Sequence, residues 1–283
     1  MNAIVPPEEM TAGDFRRIAA LIEDKLGIKM PPSKATMLSG RLHRRVVALG
    51  LSGLAEYCSL VLDRGGLAAE LPHLIDVVTT NKTDFLREPA HFDYLVGQAV
   101  PNLMDKTGAG LRRPLAVWSA ACSSGQEAYS IAMVLADFAA VEPDFRFTVK
   151  ATDISSACLA TAARAVYSKE AITPLPYEMR KRHLLMSRDR AAKLVKIAPE
   201  TRRLVSFAHL NLVEGHYPWR HPMDVIFCRN VLIYFSRATQ RTLLEFLCRH
   251  LIPGGFLFLG HSETLTGVTL PVHPVAPAVY RRE

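Results

Sequence analysis

The sequence predicts the α/β class: an open, mostly parallel, Rossmann-like sheet behind a small all-helical N-terminal domain, with a short β insertion. Two observations predict it. Three segments in fixed order (115–135, 147–155 and 223–235) each read as a buried apolar strand ending in a polar turn, and from about residue 113 strands alternate with helical patterns. The first 75 or so residues carry helical periodicity with no strand-like alternation. The boundaries drawn from these patterns are a helical domain over 1–76, a linker over 77–90 and an α/β domain over 91–283, with an inserted β-subdomain at about 170–208.

In the helical part, Phe15, Ile18, Ala19, Ile22 and Leu26 form one buried stripe. Pro31-Pro32 stops that helix, and Ser33 is placed to cap the next, over 33–49. Gly50 and Gly53 bracket a turn before a helix at Leu54–Leu62, and Gly65-Gly66 precedes another at Leu67–Val78. In the α/β part, strands are expected near 114–120, 146–152, 223–228, 255–260 and 277–282, with helices at 125–140, 155–165 and 236–251. Pro253-Gly254-Gly255 reads as the turn into the fourth strand. The stretch 166–222 carries a basic helical piece, Pro176–Leu185, then Lys193–Ile197 and Arg203–Phe207, which look like short strands paired with each other at the sheet's edge.

Composition narrows the function classes. The apolar content of 49% over 283 residues supplies ample core. No window of about 18 residues is uninterruptedly apolar, so no membrane insertion is expected, and the N-terminus lacks the pattern of a secretory signal. Five scattered cysteines without CxxC spacing argue against a disulfide framework or a metal site and for a reducing cytoplasm. The net charge of +7 fits an acidic partner.

The loop Ala120–Gly125 joins a strand directly to a helix through small residues, so backbone can approach a ligand at a helix N-terminus. A dinucleotide would want G-x-G-x-x-G, and only Gly125 is present, which disfavours a nicotinamide and leaves an adenosyl cofactor. Glu127, read by itself, completes a capping box with Ser124. Asp153 ends the second strand, where a carboxylate grips a ribose diol; it or Ser155 is equally placed to cap the next helix, and the order of the segments favours ribose. Arg229 and Asn230 stand at the carboxyl end of a central strand, where open sheets bind ligands, and Tyr234, which alone reads as packing, follows them. The polar run Asn81–Glu88 is either a solvated connector with Thr83 starting a helix or a lid whose Arg87 reaches a cofactor carboxylate. On the predicted helix at 33–49, Lys34, Arg41 and Arg45 share a face with Arg44 beside them. Such a run is ordinarily solvated surface. Without interleaved aromatics it suits an acidic helical protein better than nucleic acid, and none of the latter is expected as a partner.

Taken together, these residues resemble the chemotaxis receptor glutamate methyltransferases, the CheR family. The matching segments are Asn81-x-Thr-x-Phe-x-Arg-Glu88, Trp118 to Glu127, Ala151-Thr-Asp-Ile154, Asn211-Leu212, Phe227 to Phe235, Gly260-His-Ser-Glu263 and Lys34 with Arg41-Leu-x-Arg-Arg45. The resemblance implies a methyltransferase domain that uses S-adenosylmethionine and releases S-adenosylhomocysteine. It implies cofactor contacts from Asn81, Thr83, Arg87, Glu127, Asp153, Asn211, Leu212, Arg229 and Asn230. It implies transfer at Arg229 and Tyr234, and docking of the receptor's cytoplasmic helical region on Lys34, Arg41, Arg44 and Arg45. Localisation would be cytoplasmic, with recruitment to membrane receptor arrays as an option. Some members also tether to a peptide at the receptor C-terminus through the β insertion; the turn Ser187–Lys193 lacks the glycine a tight hairpin favours, so a member without the tether is expected. The rivals are a nucleic-acid methyltransferase and a non-catalytic cofactor binder.

Overall fold

In the computed structural model the described residues are 10–189, 191–215, 217, 221–265 and 267–283; Arg190, in the turn just discussed, lies outside them. The chain divides into two units, Met1–Thr80 with Tyr234–Thr239, and Asn81–Ile233 with Gln240–Glu283.

The first unit is helical. Helix α1 (Ala12–Leu26) starts where the Thr11 hydroxyl accepts from the Asp14 amide, buries Phe15, Ile18, Ile22 and Leu26, and stops at Gly27 in the left-handed region. A 3₁₀ turn at Pro32–Lys34 leads into α2 (Ala35–Leu49), followed by α3 (Leu54–Leu62) and α4 (Leu67–Val78). Ser33 does not cap α2: it lies inside the 3₁₀ turn that the two prolines begin, and no side chain caps that helix. Two arginines of the basic run act inside the unit. The Arg41 guanidinium donates to the carbonyls of Val77, Val78 and Thr79, each at 3.1 Å, closing the carboxyl end of α4. Arg45 makes a two-pronged ion pair with Glu70, 3.0 and 2.7 Å, and Glu70 is only 4% exposed. Lys29 donates its amide to the Tyr234 carbonyl, and Ile28 bridges to Phe235, so the short Tyr234–Thr239 segment completes this unit.

The second unit opens with a helical stretch absent from the sequence expectations: α5 (Ala90–Tyr94), a π turn at Leu95–Ala99, and α6 (Val100–Thr107). Phe92, Leu95, Ala99, Val100 and Leu103 are its buried face, a helical spacing visible in the sequence. Then follow β1 (Leu115–Ala120), α7 (Gln126–Val141), β2 (Phe147–Asp153), α8 (Ser156–Arg164), β3 (Val166–Ser168), α9 (Tyr177–His183), β4 (Leu184–Met186), β5 (Leu194–Ile197), α10 (Pro199–Arg202) and β6 (Val205–His209). Last come β7 (Met223–Cys228), α11 (Arg237–Arg249), β8 (Leu251–Leu259), β9 (Val272–Ala276) and β10 (Val279–Arg282). Among the described residues a seven-stranded sheet runs β6-β2-β1-β7-β8-β10-β9, and a three-stranded sheet runs β3-β5-β4. The first five strands of the large sheet are parallel; β10 is antiparallel to both its neighbours.

Three further expectations are corrected. Residues 203–207 do not pair with 193–197: β5 joins β3 and β4, while β6 lies parallel to β2 with Val149 opposite Val205 and Asp153 opposite His209. Val205 and Phe207 pack on the main core, which fixes β6 as the outer strand of the large sheet. Pro253-Gly254 is a bulge within β8 and not a turn before it, the register jumping from Met223–Leu251 to Val225–Phe256. The chain ends in a hairpin, β9 and β10, where a single strand was expected.

The strand ends are held from within. Asp224, with no exposed surface, accepts from both Arg113 terminal nitrogens at 2.6 and 2.5 Å and from the Ala116 amide at 2.8 Å, locking β7 beside β1. Above it Phe227 stacks on Phe258 of β8 at 4.3 Å. In the helical unit, Arg45→Met strands the buried Glu70 carboxylate and should cost about 3 kcal/mol of unfolding free energy. Arg44→Met, at an exposed position, should stay within about 0.5 kcal/mol. Urea unfolding of both variants checks this.

Candidate functional site

The second unit gathers its polar side chains at the carboxyl ends of β1, β2, β7 and β8. The loop after β1 is forced through the left-handed region at Ala121 (φ 61°), Ser123 (φ 51°) and Gly125 (φ 95°). Gly125 is required there: a Cβ would stand 2.8 Å from that of Ala162. The capping box expected from Ser124 and Glu127 does not form. Gly125 itself is the cap, one residue later, so Glu127 misses the capping position and the Ser124 hydroxyl donates to the Gln126 amide oxygen. Glu127 instead turns onto the sheet, accepting from Ser119 Oγ at 2.7 Å and facing Arg229 Nη1 at 3.4 Å. Burial raises its pKa, opposed by Arg229 and the Ser119 bond.

Arg229 is the hub. Its side chain is 1% exposed, yet it carries a full charge. Nη2 donates to the Arg87 carbonyl and meets Glu88 Oε2 at 3.1 Å, and the guanidinium lies over the rings of Phe92 and Phe227. Its Nε and Nη1 nevertheless have no hydrogen-bond acceptor. Glu88 sits at the end of a strained turn (φ 49° at Leu86, 58° at Glu88) and also accepts from Asn230 Nδ2 and the His261 amide, both at 3.3 Å. Burial pushes its pKa up, but Arg229 and these donors outweigh that and hold it below the ordinary value. Beneath it lies His91, 2% exposed, its Nδ1 3.4 Å from Glu88 and its ring 4.9 Å from that of His261. Glu88, His91 and His261 have ligand atoms within 4.8 Å of one another, a spacing open to a metal. However, the Glu88 oxygen shared by both imidazoles is already committed to the Arg229 cation.

Asp153 is buried at the end of β2. Its two oxygens accept from the amides of Ser123 (2.7 Å) and Ser155 (2.8 Å), tying β2 to the loop after β1. Ser155, not Asp153, caps α8, accepting from the Cys158 amide. Burial raises the Asp153 pKa, opposed by those amide bonds. Leu210 donates its amide to the Asp153 carbonyl, which sets Asn211 and Leu212 beside it; Asn211 caps the turn Leu212–Glu214. Asn81 approaches through its carbonyl, which accepts from Ser123 Oγ at 2.9 Å, and Thr83 stands in irregular chain, not at a helix start. Arg87 reaches this group through its carbonyl, while its guanidinium donates to Lys82 O at 3.1 Å.

The structure therefore brings Asn81, Arg87, Glu127, Asp153, Asn211, Leu212, Arg229 and Asn230 onto the same end of one sheet. Tyr234 belongs to the helical unit. Of the basic run, Arg41 and Arg45 are engaged within that unit, Lys34 Nζ lies 3.4 Å from the Lys29 carbonyl, and Arg44 is exposed. Glu88 and His261 lie inside the segments that carry the family resemblance without a role implied for either, and His91 lies outside those segments. The available signal was their position: polar residues flanking apolar runs at strand ends.

The model of the CheR methyltransferase all-alpha domain matches residues 13–79, and that of the CheR methyltransferase SAM binding domain matches residues 81–278. This chain belongs to the CheR family. The resemblance read from the motifs stands, as does the expected fold class of a methyltransferase sheet with an N-terminal helical domain. The chain is 38% identical over 252 residues to the chemotaxis protein methyltransferase of Escherichia coli, covering 89% of this chain and 84% of that one. It is 36% identical over 247 residues to a probable chemotaxis protein methyltransferase of Rhizobium etli, covering 87% and 91%. It is 31% identical over 274 residues to the chemotaxis protein methyltransferase of Borreliella burgdorferi, covering 96% and 95%. Among the described residues no single helix is long and apolar enough to cross a membrane.

Burial, and next the charge of Arg229, depress the His91 pKa to about 4 from 6.5. The unfolded chain then binds a proton that the folded one refuses, so stability rises with pH across that window and is lost as pH falls from about 6.5 to about 4. The full effect is about 3 kcal/mol. Unfolding of His91→Gln followed between those pH values should show a correspondingly flatter dependence than the parent chain.

Proposed function

We propose that this chain transfers the methyl group of S-adenosylmethionine to glutamate side-chain carboxylates of chemoreceptors, forming glutamyl methyl esters in sensory adaptation and releasing S-adenosylhomocysteine. The observation that carries this reading is the buried Arg229 cation, whose Nε has no hydrogen-bond acceptor and whose Nη1 has only the Glu127 ion pair, in a domain of a SAM-binding family.

The residues fit the cofactor. Arg229 Nε has no hydrogen-bond acceptor and Nη1 has only the Glu127 ion pair, so the guanidinium keeps donor capacity that a methionine carboxylate or an acceptor glutamate would use. Each Asp153 oxygen accepts from an amide of a neighbouring loop, and a carboxylate has further lone pairs with which to meet a ribose diol. The small-residue loop from Ala120 to Gly125 admits close approach, and Asn81, Thr83, Arg87, Glu127, Asn211, Leu212 and Asn230 complete the proposed contacts. When bound, the cofactor supplies an electrophilic methyl on a sulfonium and leaves as a neutral thioether.

The chain need not supply a general base, because an acceptor glutamate with a reference pKa of about 4.3 is ionised at neutral pH. Its residues instead hold the two partners in line and exclude water. Arg229 orients a carboxylate without disabling it as a nucleophile, since Glu88 at 3.1 Å and Glu127 at 3.4 Å share its charge. Tyr234 is assigned to line the transfer site. The acceptor is a cytoplasmic helical segment carrying acidic residues, suited to a chain of net charge +7. Arg44 and Lys34 are the members of the basic run assigned to meet it directly; Arg41 and Arg45 shape the helix that presents them.

Labelled methyl transferred to receptor-bearing membranes should be released by mild base as volatile methanol, the mark of a carboxyl ester; base-stable label would overturn the reading. Asp153→Ala should raise the cofactor Kd about tenfold or more by calorimetry, the loss of hydrogen bonds to a charged group. Arg44→Glu should leave that Kd unchanged and cut receptor methylation several-fold, about 1 kcal/mol or more of lost electrostatic complementarity. Triple neutralisation of Arg41, Arg44 and Arg45 is a poorer test, because it also strands Glu70.

A further inference from the structure

Asn230 reaches its place at a conformational cost. Its φ of 57° lies in the left-handed region, which asparagine tolerates better than most residues but does not prefer. It directly follows Arg229, so its amide is the peptide link between the two residues of the site, and its backbone angles set where its own side chain points. One carboxylate from another segment holds this turn. Glu263, 5% exposed, accepts from the Asn230 amide through Oε2 at 2.8 Å and from the Leu232 amide through Oε1 at 2.8 Å. Oε2 also accepts from the Gly260 amide at 2.7 Å, and the Glu263 amide donates to the Gly260 carbonyl at 2.8 Å. The turn after β7 and the turn after β8 are thus joined through a single side chain. Gly260 adds a steric clamp: a Cβ there would stand 2.4 Å from Asn230 Nδ2 and 2.9 Å from its backbone nitrogen.

We propose that Glu263 is a positioning residue for the methyl-transfer site: it has no part in the chemistry and acts by holding Asn230, and with it Arg229, in the geometry that receives the cofactor. This rests on the reading of Arg229 and Asn230 as cofactor contacts. Three amide donors converge on two carboxylate oxygens, so an acceptor-only group is required. Glutamine has the same shape but one oxygen; in either orientation its amide nitrogen faces an N–H and leaves at least one amide of the strained turn unpaired.

The test separates positioning from mere stability. Asp224 is another buried carboxylate of the same sheet, bonded to Arg113 and Ala116 and away from the turn at Asn230, so Asp224→Asn costs stability without touching that turn. S-adenosylmethionine is titrated calorimetrically, well below each melting temperature, into the full chain and into Glu263→Gln, Asp224→Asn and Asn230→Ala. The expected result is a Kd raised about tenfold or more by Glu263→Gln and by Asn230→Ala, and a Kd within about twofold of the parent for Asp224→Asn. Unchanged affinity in Glu263→Gln beside weakened Asn230→Ala overturns the positioning role alone. Equal weakening by Asp224→Asn also overturns it, by making the effect one of general stability. Unchanged affinity in Asn230→Ala removes the cofactor reading of this turn and the proposal with it.

Discussion

A guanidinium withdrawn from water needs counter-charge, and much of the sheet's carboxyl mouth is arranged to provide it for Arg229. Glu88 comes from the loop before α5 and Glu127 from the first turn of α7, while Phe92 and Phe227 cover the cation's faces. Burying one such charge unpaired would cost several kcal/mol, so these elements are fixed relative to one another by electrostatics as well as by packing. The strained backbone at Leu86 and Glu88 follows from the same demand, since the chain must turn sharply to bring both the Arg87 carbonyl and the Glu88 carboxylate to one cation.

The pairing leaves an imbalance that suits a binding site. Arg229 keeps donors without acceptors, while the carboxylates around it are either held ionised by it, as Glu88 is, or raised by burial, as Glu127 is. Asp153 shows a related economy: amides of the two neighbouring loops set its direction and leave it room to accept more.

Much of this was legible in the residues. The parallel strands after residue 113 declared themselves as apolar runs, and the helices of the N-terminal unit by their buried stripes at i, i+3 and i+4. What misled was local chemistry in competition with tertiary demand. Ser124 and Glu127 match a capping box, yet Gly125 in the left-handed region moved the cap by one residue and released Glu127 to the sheet. Arg203–Phe207 reads as a hairpin partner for the segment just before it, but its apolar positions find their burial on the main core beside β2. The basic run on α2 looks like one solvated face, whereas a carboxylate at Glu70 and the open carbonyls of α4 draw Arg45 and Arg41 inward.

By itself, the sequence determined the class of fold and the order of its strands' polar ends, because hydrophobic periodicity and the position of polar residues at strand ends are local properties of the chain. The tertiary structure decided which of those residues share a charge, which arginines are structural and which exposed, and that one carboxylate at Glu263 joins two turns. Those outcomes depend on distances between segments far apart in the chain, such as Glu88 and Arg229 or Asn230 and Glu263, and no local pattern encodes them.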